Sequence, residues 1–363
     1  MQTFSAKIPG DLVRPAIRTS DDGMREIKPG TPFRQIKKTL DSGYEVLLAG
    51  THGFALGIHS WLKKECLKST PIVDYASWRQ YKRMLHEYQS RVWIKVMNGR
   101  PTILKSPHNP WLSEFFPEYD EYYIGFADFL GMNGARQWYE KGIQYPMINH
   151  RLFPYYGVYF PTRYDHLRLF DQWLSSEKGF RRAIDIGAGC GILSFIMRKH
   201  GIGFIHATDT NPNAVFGLME ELHRHGVMHG DVIFPEQADL FGSFVPGPDD
   251  LVVFNPPWIP AKAETTMDSA SYYSDDFFDR FFNEIRTSCA KGTRIAILFS
   301  DFAQVAGITN LNPIVESLQQ FSNDVHLLGY DKKPVSDKPG KQKSWVAGIR
   351  QDEHVELFVL ERT

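Results

Sequence analysis

The spacing of apolar positions changes along the chain. Between residues 181 and 325, short apolar runs alternate with stretches spaced for one face of a helix. Runs at 183–186, 204–208, 251–254 and 294–299 predict strands, with a weaker one at 231–234. Patterns at 192–200, 212–225, 275–290 and 312–321 predict helices, and Pro212 sits in the first turn of the second. The last two runs, 326–330 and 355–360, are joined by a long stretch with no helical pattern. Alternating strands and helices predict an α/β fold with a doubly wound, mostly parallel sheet. Its ligand would lie at the carboxyl ends of the strands, and the last two strands would form an antiparallel edge.

The first half reads differently. Gly10, Pro15, Gly23, Pro29 and Gly30 punctuate residues 1–30, which predicts a flexible N-terminal arm. Residues 31–150 predict a mostly helical accessory domain for substrate recognition. Phe33, Ile36 and Leu40 share a face up to Gly43. Asp74 is a candidate N-cap for a helix carrying Trp78, Tyr81 and Leu85, and 122–138 has helical spacing. One hairpin is expected, because Asn98-Gly99 separates two β-rich runs. The remaining residues, 151–363, form the second domain. Residues 164–174 are expected to be its first helix, leading into the strand at 183.

Composition excludes several classes. Hydrophobic residues make up 42% and charged residues 23%, as in ordinary globular proteins. Lys plus Arg number 41 against 42 Asp plus Glu, so the strong basic excess of a dedicated nucleic-acid binder is missing. Cys66, Cys190 and Cys289 form no Cys-x-x-Cys pair, which argues against a disulfide framework or a thiolate metal site. With no long apolar segment or signal pattern, a cytoplasmic location without membrane attachment is expected.

The chemistry concentrates at two places. After the strand at 183–186, Gly187, Gly189 and Gly191 make a Gly-x-Gly-x-Gly turn that opens a helix. Such a turn lets backbone approach a nucleoside ligand closely. The dinucleotide fingerprint would need glycine at 192, which is Ile, and no Walker pattern follows. Asp209 ends the next strand, where a carboxylate can accept two ribose hydroxyls; this feature suits NAD and S-adenosylmethionine alike. Asp185 could order the turn or meet a methionine amino group. Asp239-Leu240, after the third strand, is placed for an adenine amino group.

The second place is Asn255-Pro256-Pro257-Trp258, after the fourth strand. The Asn255 side-chain oxygen and the Pro256 carbonyl are two acceptors that could hold two N–H bonds of an –NH2 group. Its third direction would then face a methyl donor. Pro256 and Pro257 stiffen the turn, and Trp258 could stack on a planar group. Tyr159, Thr162 and Arg163 lie in an aromatic-rich segment before the 164–174 helix and are candidate substrate contacts.

Together these residues resemble the class I S-adenosylmethionine-dependent methyltransferases. The chain is most similar to the Asn-Pro-Pro-aromatic N-methyltransferases, including the release-factor and ribosomal-protein glutamine enzymes. The resemblance covers roughly residues 140–300. It implies a Rossmann-like methyltransferase sheet, with S-adenosylmethionine bound at Gly187, Gly189, Asp209 and Asp239 and the target nitrogen held by Asn255 and the Pro256 carbonyl. The family's upstream Pro-Arg element occurs in altered form at 160–165, and Trp258 stands where Tyr is usual.

The expectation is therefore an N-methyltransferase for an amine- or amide-bearing acceptor, a small molecule rather than protein or RNA. Protein glutamine or an rRNA base is the alternative, and a silent cofactor-binding module is the reading from another class. No metal is expected: His223, His225 and His229 read as a solvated helix end. The lysine-rich stretch 331–343 reads as a solvated loop, with a lid as its functional alternative. Ser194 and Ser300 lack a nucleophile-elbow context.

Overall fold

The computed structural model describes residues 9–226, 232–261, 271–336 and 349–363. Residues 6–137 form one compact unit and residues 138–363 another, and each is described by itself.

In the first unit, β1 (Ile17–Arg18), β2 (Met24–Ile27), α1 (Phe33–Asp41), β3 (Glu45–Leu48), α2 (His52–Ser69) and α3 (Tyr75–Gln89) come first. β4 (Val92–Met97), β5 (Arg100–Pro101), α4 (Trp111–Phe115) and β6 (Glu121–Gly125) follow. α5 (Phe126–Lys141) runs through the boundary between the units. Helical residues outnumber strand residues here, but the helices are arranged about a sheet in the order β1-β6-β4-β3-β2, with β5 beside β4.

Two sequence expectations are corrected in this unit. Residues 17–27 are no arm, because β1 pairs with β6 and β2 pairs with β3. Helical spacing from 122 hides a strand, since the helix begins only at Phe126. Tyr122, Tyr123 and Ile124 are buried by sheet packing, which overrides the local periodicity. The Asn98-Gly99 hairpin is present, with both residues at positive φ. Asp74 caps α3, reciprocated by the Ser77 hydroxyl.

The second unit opens with β7 (Ile143–Gln144), β8 (Arg151–Leu152) and α6 (Asp165–Ser176). It continues through β9 (Arg182–Ile186), α7 (Ile192–Lys199), β10 (Phe204–Asp209), α8 (Pro212–Arg224), β11 (Ile233–Gln237) and β12 (Leu251–Phe254). Then come β13 (Ile259–Pro260), β14 (Tyr272–Tyr273), α9 (Phe277–Ser288), β15 (Arg294–Ser300), α10 (Phe302–Val305), α11 (Pro313–Gln320), β16 (Val325–Pro334) and β17 (His354–Arg362). The main sheet is ordered β11-β10-β9-β12-β15-β17-β16. Strands β9 to β12 and β15 pair in parallel, and β17 runs antiparallel to both of its neighbours. This is a doubly wound, Rossmann-like sheet with an antiparallel edge pair.

Alternation along the strands sets the layers. Ile184, Ile186, Val252, Phe254, Ile295 and Ile297 share a core cluster with Phe281, Phe282 and Ile285 of α9. Ala183, Leu251, Val253, Ala296 and Leu298 are buried on the other side of the pleat, the side on which α6 and α7 pack together. Phe281 and Phe282 are fully buried, and each stabilises the fold by roughly 1.5–3 kcal/mol. No described helix is long and apolar enough to cross a membrane.

Candidate active site

The ends of β10, β9 and β12 are level. Ile186 stands opposite Thr208 on one side and Phe254 on the other. Chain order also reverses at β9, which makes its carboxyl end the crevice of the sheet. Residues 187 and 255 therefore leave adjacent strands about 4.8 Å apart.

The glycine turn is held in a form that favours glycine. Gly187, Gly189 and Gly191 have φ of +65°, +53° and +78°. A Cβ on Gly189 would stand 2.9 Å from the Tyr159 carbonyl oxygen, and one on Gly191 would stand 2.6 Å from Leu218 Cδ1. Asp185 supports the turn from below. Its Oδ2 accepts the Ser194 backbone N–H at 2.9 Å and the Ser194 hydroxyl at 2.6 Å, while its buried Oδ1 has no partner among the described residues. Burial pushes the Asp185 carboxyl up to about 7 against the pull of the two Ser194 bonds.

Asp209 ties the turn to the next strand. Its Oδ2 accepts the Gly189 N–H and its Oδ1 the Asn211 N–H, both at 2.8 Å. Burial raises its pKa, opposed by the Asn211 and Gly189 bonds. Each carboxylate oxygen can still accept another donor, so two ribose hydroxyls fit this group. The backbone at Leu240 is left-handed (φ +47°), and its carbonyl accepts the Thr208 hydroxyl at 2.6 Å, which fixes the Asp239-Leu240 corner. Asp239 Oδ2 is paired with Arg280 Nη1 at 2.9 Å, a partner that the sequence did not suggest.

The upstream segment is stitched to this cradle. Asn211 Nδ2 donates to the Gly157 carbonyl at 2.9 Å and Asn213 Nδ2 to that of Tyr156 at 2.7 Å. The Tyr159 carbonyl accepts the Cys190 N–H at 3.2 Å, and the Tyr145 hydroxyl donates to the Pro161 carbonyl at 3.1 Å. Tyr159 keeps a side chain 43% exposed, and Thr162 is exposed. Arg163 is engaged by buried Glu353 at 3.4 Å, and Glu353 also accepts the Ser300 hydroxyl at 2.9 Å. The guanidinium thus anchors the segment to the ends of β15 and β17.

Beyond the end of β12, Asn255 Oδ1 and Trp258 Nε1 are buried without a hydrogen-bond partner among the described residues. Trp258 leans on the core cluster that contains Phe254. His166 of α6 meets it edge-on, with ring centroids 5.2 Å apart at 90°. The sequence reading passed over His166. Its spacing with Phe170 and Leu174, one polar residue in an apolar i, i+4, i+8 stripe, is the signal that marks it.

No three metal-ligating side chains converge among the described residues. Within the histidine group expected to be a solvated helix end, His225 pairs with Glu221 at 2.7 Å. His229, and Lys338, Lys341 and Lys343 of the lysine-rich stretch, lie outside the described residues. Residues 331–334 of that stretch belong to β16.

Residues 155–276 match the family model of the methyltransferase small domain. A relative from Methanocaldococcus jannaschii, provisionally named a protein N5-glutamine methyltransferase, is 31% identical over 139 residues, covering 36% of this chain and 68% of its own. The chain belongs to the class I S-adenosylmethionine-dependent methyltransferases. The ribosomal protein L11 methylase of Lactobacillus delbrueckii is a solved structure with 15% identity, covering 58% of this chain and 83% of its own, at a TM-score of 0.36. The M. jannaschii tRNA m1G37 methyltransferase has 18% identity, covering 57% and 52%, at 0.35.

S-adenosylmethionine is thus the cofactor of this methyltransferase, and the residues present fit it. The glycine turn leaves room for backbone contact, and Asp209 has acceptor capacity at the strand end beside the turn. The unpaired Asp185 oxygen lies beneath the methyltransferase's glycine turn.

Proposed function

We propose that the protein transfers a methyl group to a planar or primary nitrogen held by Asn255 Oδ1 and the Pro256 carbonyl. The observation that carries this reading is the register of Phe254 with Ile186. It sets Asn255 beside the glycine turn while the Asn255 oxygen is buried and unpaired. A buried acceptor without a donor costs roughly 1–3 kcal/mol, so a donor brought by the substrate offsets a real penalty.

The cofactor supplies an electrophilic methyl group on a sulfonium. With the donor bound, transfer would form the N–CH3 bond at the expense of the S–CH3 bond, and the nitrogen would shed a proton to water. Two acceptors fixed by Pro256-Pro257 orient the –NH2 group so that its remaining direction faces the methyl carbon. Asp185, Gly187, Gly189, Gly191, Asp209, Asp239 and Leu240 hold the donor. Tyr159, Thr162 and Trp258 wall the acceptor side, and Arg163 positions their segment through Glu353.

The neutral charge balance favours a small uncharged acceptor over RNA. A protein-bound glutamine amide is the second reading, supported by the name of the M. jannaschii relative.

The test uses a labelled methyl donor with small-molecule and protein fractions as acceptors. Asn255→Ala should bind S-adenosylhomocysteine within about twofold of wild type and lose about 100-fold in turnover. Equal turnover, or label found on oxygen or sulfur, sinks the proposal.

A further inference from the structure

His166 is 1% exposed, and neither of its ring nitrogens has a hydrogen-bond partner among the described residues. Such groups are rare in folded proteins, because each forfeits its bonds to water without replacement. Burial pushes the imidazole down to about 4, so it is neutral near pH 7 and offers one donor and one acceptor. The ring it stands against is Trp258, whose Nε1 is also buried and unpaired among the described residues. Trp258 lies three residues after Asn255, whose Oδ1 is the third unpaired group. Together these three residues present an acceptor (Asn255 Oδ1), a donor (Trp258 Nε1) and a group able to do either (His166).

Complementarity to that set constrains the ligand. Asn255 asks for an N–H. Trp258 can only donate, so it asks for a lone pair on the same ligand. A carboxamide meets both demands, with –NH2 on one side and C=O on the other. An amino-heterocycle meets them too, with –NH2 next to a ring nitrogen. An alkylammonium has donors only and would leave Trp258 Nε1 unpaired in a dry site, which is a strong ground for rejection. A cation could still bind over the indole face, so the two possibilities make opposite predictions.

We propose that His166 and Trp258 Nε1 form the second half of the acceptor pocket and bind the lone-pair atom beside the target nitrogen. The enzyme thereby selects an uncharged planar –NH2 acceptor over an ammonium. The proposal rests on the N-methyltransferase reading above. His166 and Trp258 are its specificity-determining residues, whereas Asn255 orients the nitrogen.

The full-length enzyme, saturated with S-adenosylhomocysteine, is titrated with propionamide and separately with methylammonium. The readout is the Trp258 indole N–H resonance, assigned by its loss in Trp258→Phe. Propionamide should move the resonance, and methylammonium should leave it in place. His166→Phe keeps a ring against Trp258 and removes both orphan nitrogens. It should weaken propionamide binding by at least about tenfold, leave S-adenosylhomocysteine affinity unchanged and not lower the melting temperature. His166→Asn, which restores a donor and an acceptor, should recover part of the loss. Unchanged propionamide affinity in His166→Phe, or a shift of the resonance by methylammonium, overturns the proposal. Wild-type affinity for propionamide in Asn255→Ala would instead overturn the N-methyltransferase reading, so the two failures are distinguishable.

Discussion

The backbone N–H of Gly189 donates to the Asp209 carboxylate at 2.8 Å across two neighbouring strands. The glycine turn is therefore held from the strand whose end carries Asp209, the acid proposed to accept the ribose hydroxyls. Asp209→Ala removes an acceptor from both the turn and the cofactor. S-adenosylhomocysteine affinity, read by calorimetry, should fall by about 50-fold or more, and the melting temperature should drop as well. Asp209→Asn should lose less, because its one oxygen can still accept the Gly189 N–H.

Gly189 is the position in the turn where a side chain meets backbone. Its φ is +53°, and a Cβ would press on the Tyr159 carbonyl at 2.9 Å. Gly189→Ala should destabilise the fold by about 1–3 kcal/mol in urea titration. It should also weaken cofactor binding, because the 155–161 segment must shift. Gly201→Ala serves as the control: it shares a positive φ of +87° but has open space around it, so it should show strain without loss of cofactor affinity.

His166 should make the protein sensitive to acid. Its folded pKa, about 4, lies below the ordinary 6.5, so the unfolded chain binds the proton more readily. Stability tied to the neutral ring is present above pH 6.5 and is lost as pH falls towards 4, amounting to roughly 3 kcal/mol. Asp185 acts in the opposite direction. Its folded value is raised to about 7 from 3.8, so its contribution is full at low pH and fades as pH rises through 7. The readout is therefore the difference between His166→Phe and wild type in melting temperature across pH 4–7. That difference should widen as pH falls. A constant difference would show that the imidazole does not titrate on unfolding.

Glu353 is 2% exposed and depends on Arg163, Ser300 and, at 4.0 Å, Arg350. Arg163→Met leaves this buried carboxylate short of its partner and should destabilise the protein by about 3 kcal/mol. The double variant Arg163→Met/Glu353→Met should recover much of that loss. Were Arg163 instead a substrate contact alone, its single substitution would leave the urea midpoint unchanged.

Much of the catalytic unit was legible in order along the chain. Each parallel strand there is a short apolar run between glycine or polar turns, since both faces are covered, and the helices show a polar side. Gly187, Gly189, Gly191, Asp209 and the Asn255-Pro256-Pro257-Trp258 turn are local signals, because backbone conformation at glycine and proline is a property of the residue itself. The first unit was less legible. β1, β2 and β6 are short and find their partners far along the chain, so local spacing reads 17–27 as a tail and 122–125 as helix.

Residue order alone thus pointed to an S-adenosylmethionine-dependent methyltransferase, through motifs whose chemistry resides in adjacent residues. It could not settle which distant groups meet. Glu353 answering Arg163, Arg280 holding Asp239, and His166 standing against Trp258 are separated by 190, 41 and 92 positions. Such pairings follow from sheet order and helix packing, and they depend on burial, which strips water from a group and leaves a neighbour to replace it.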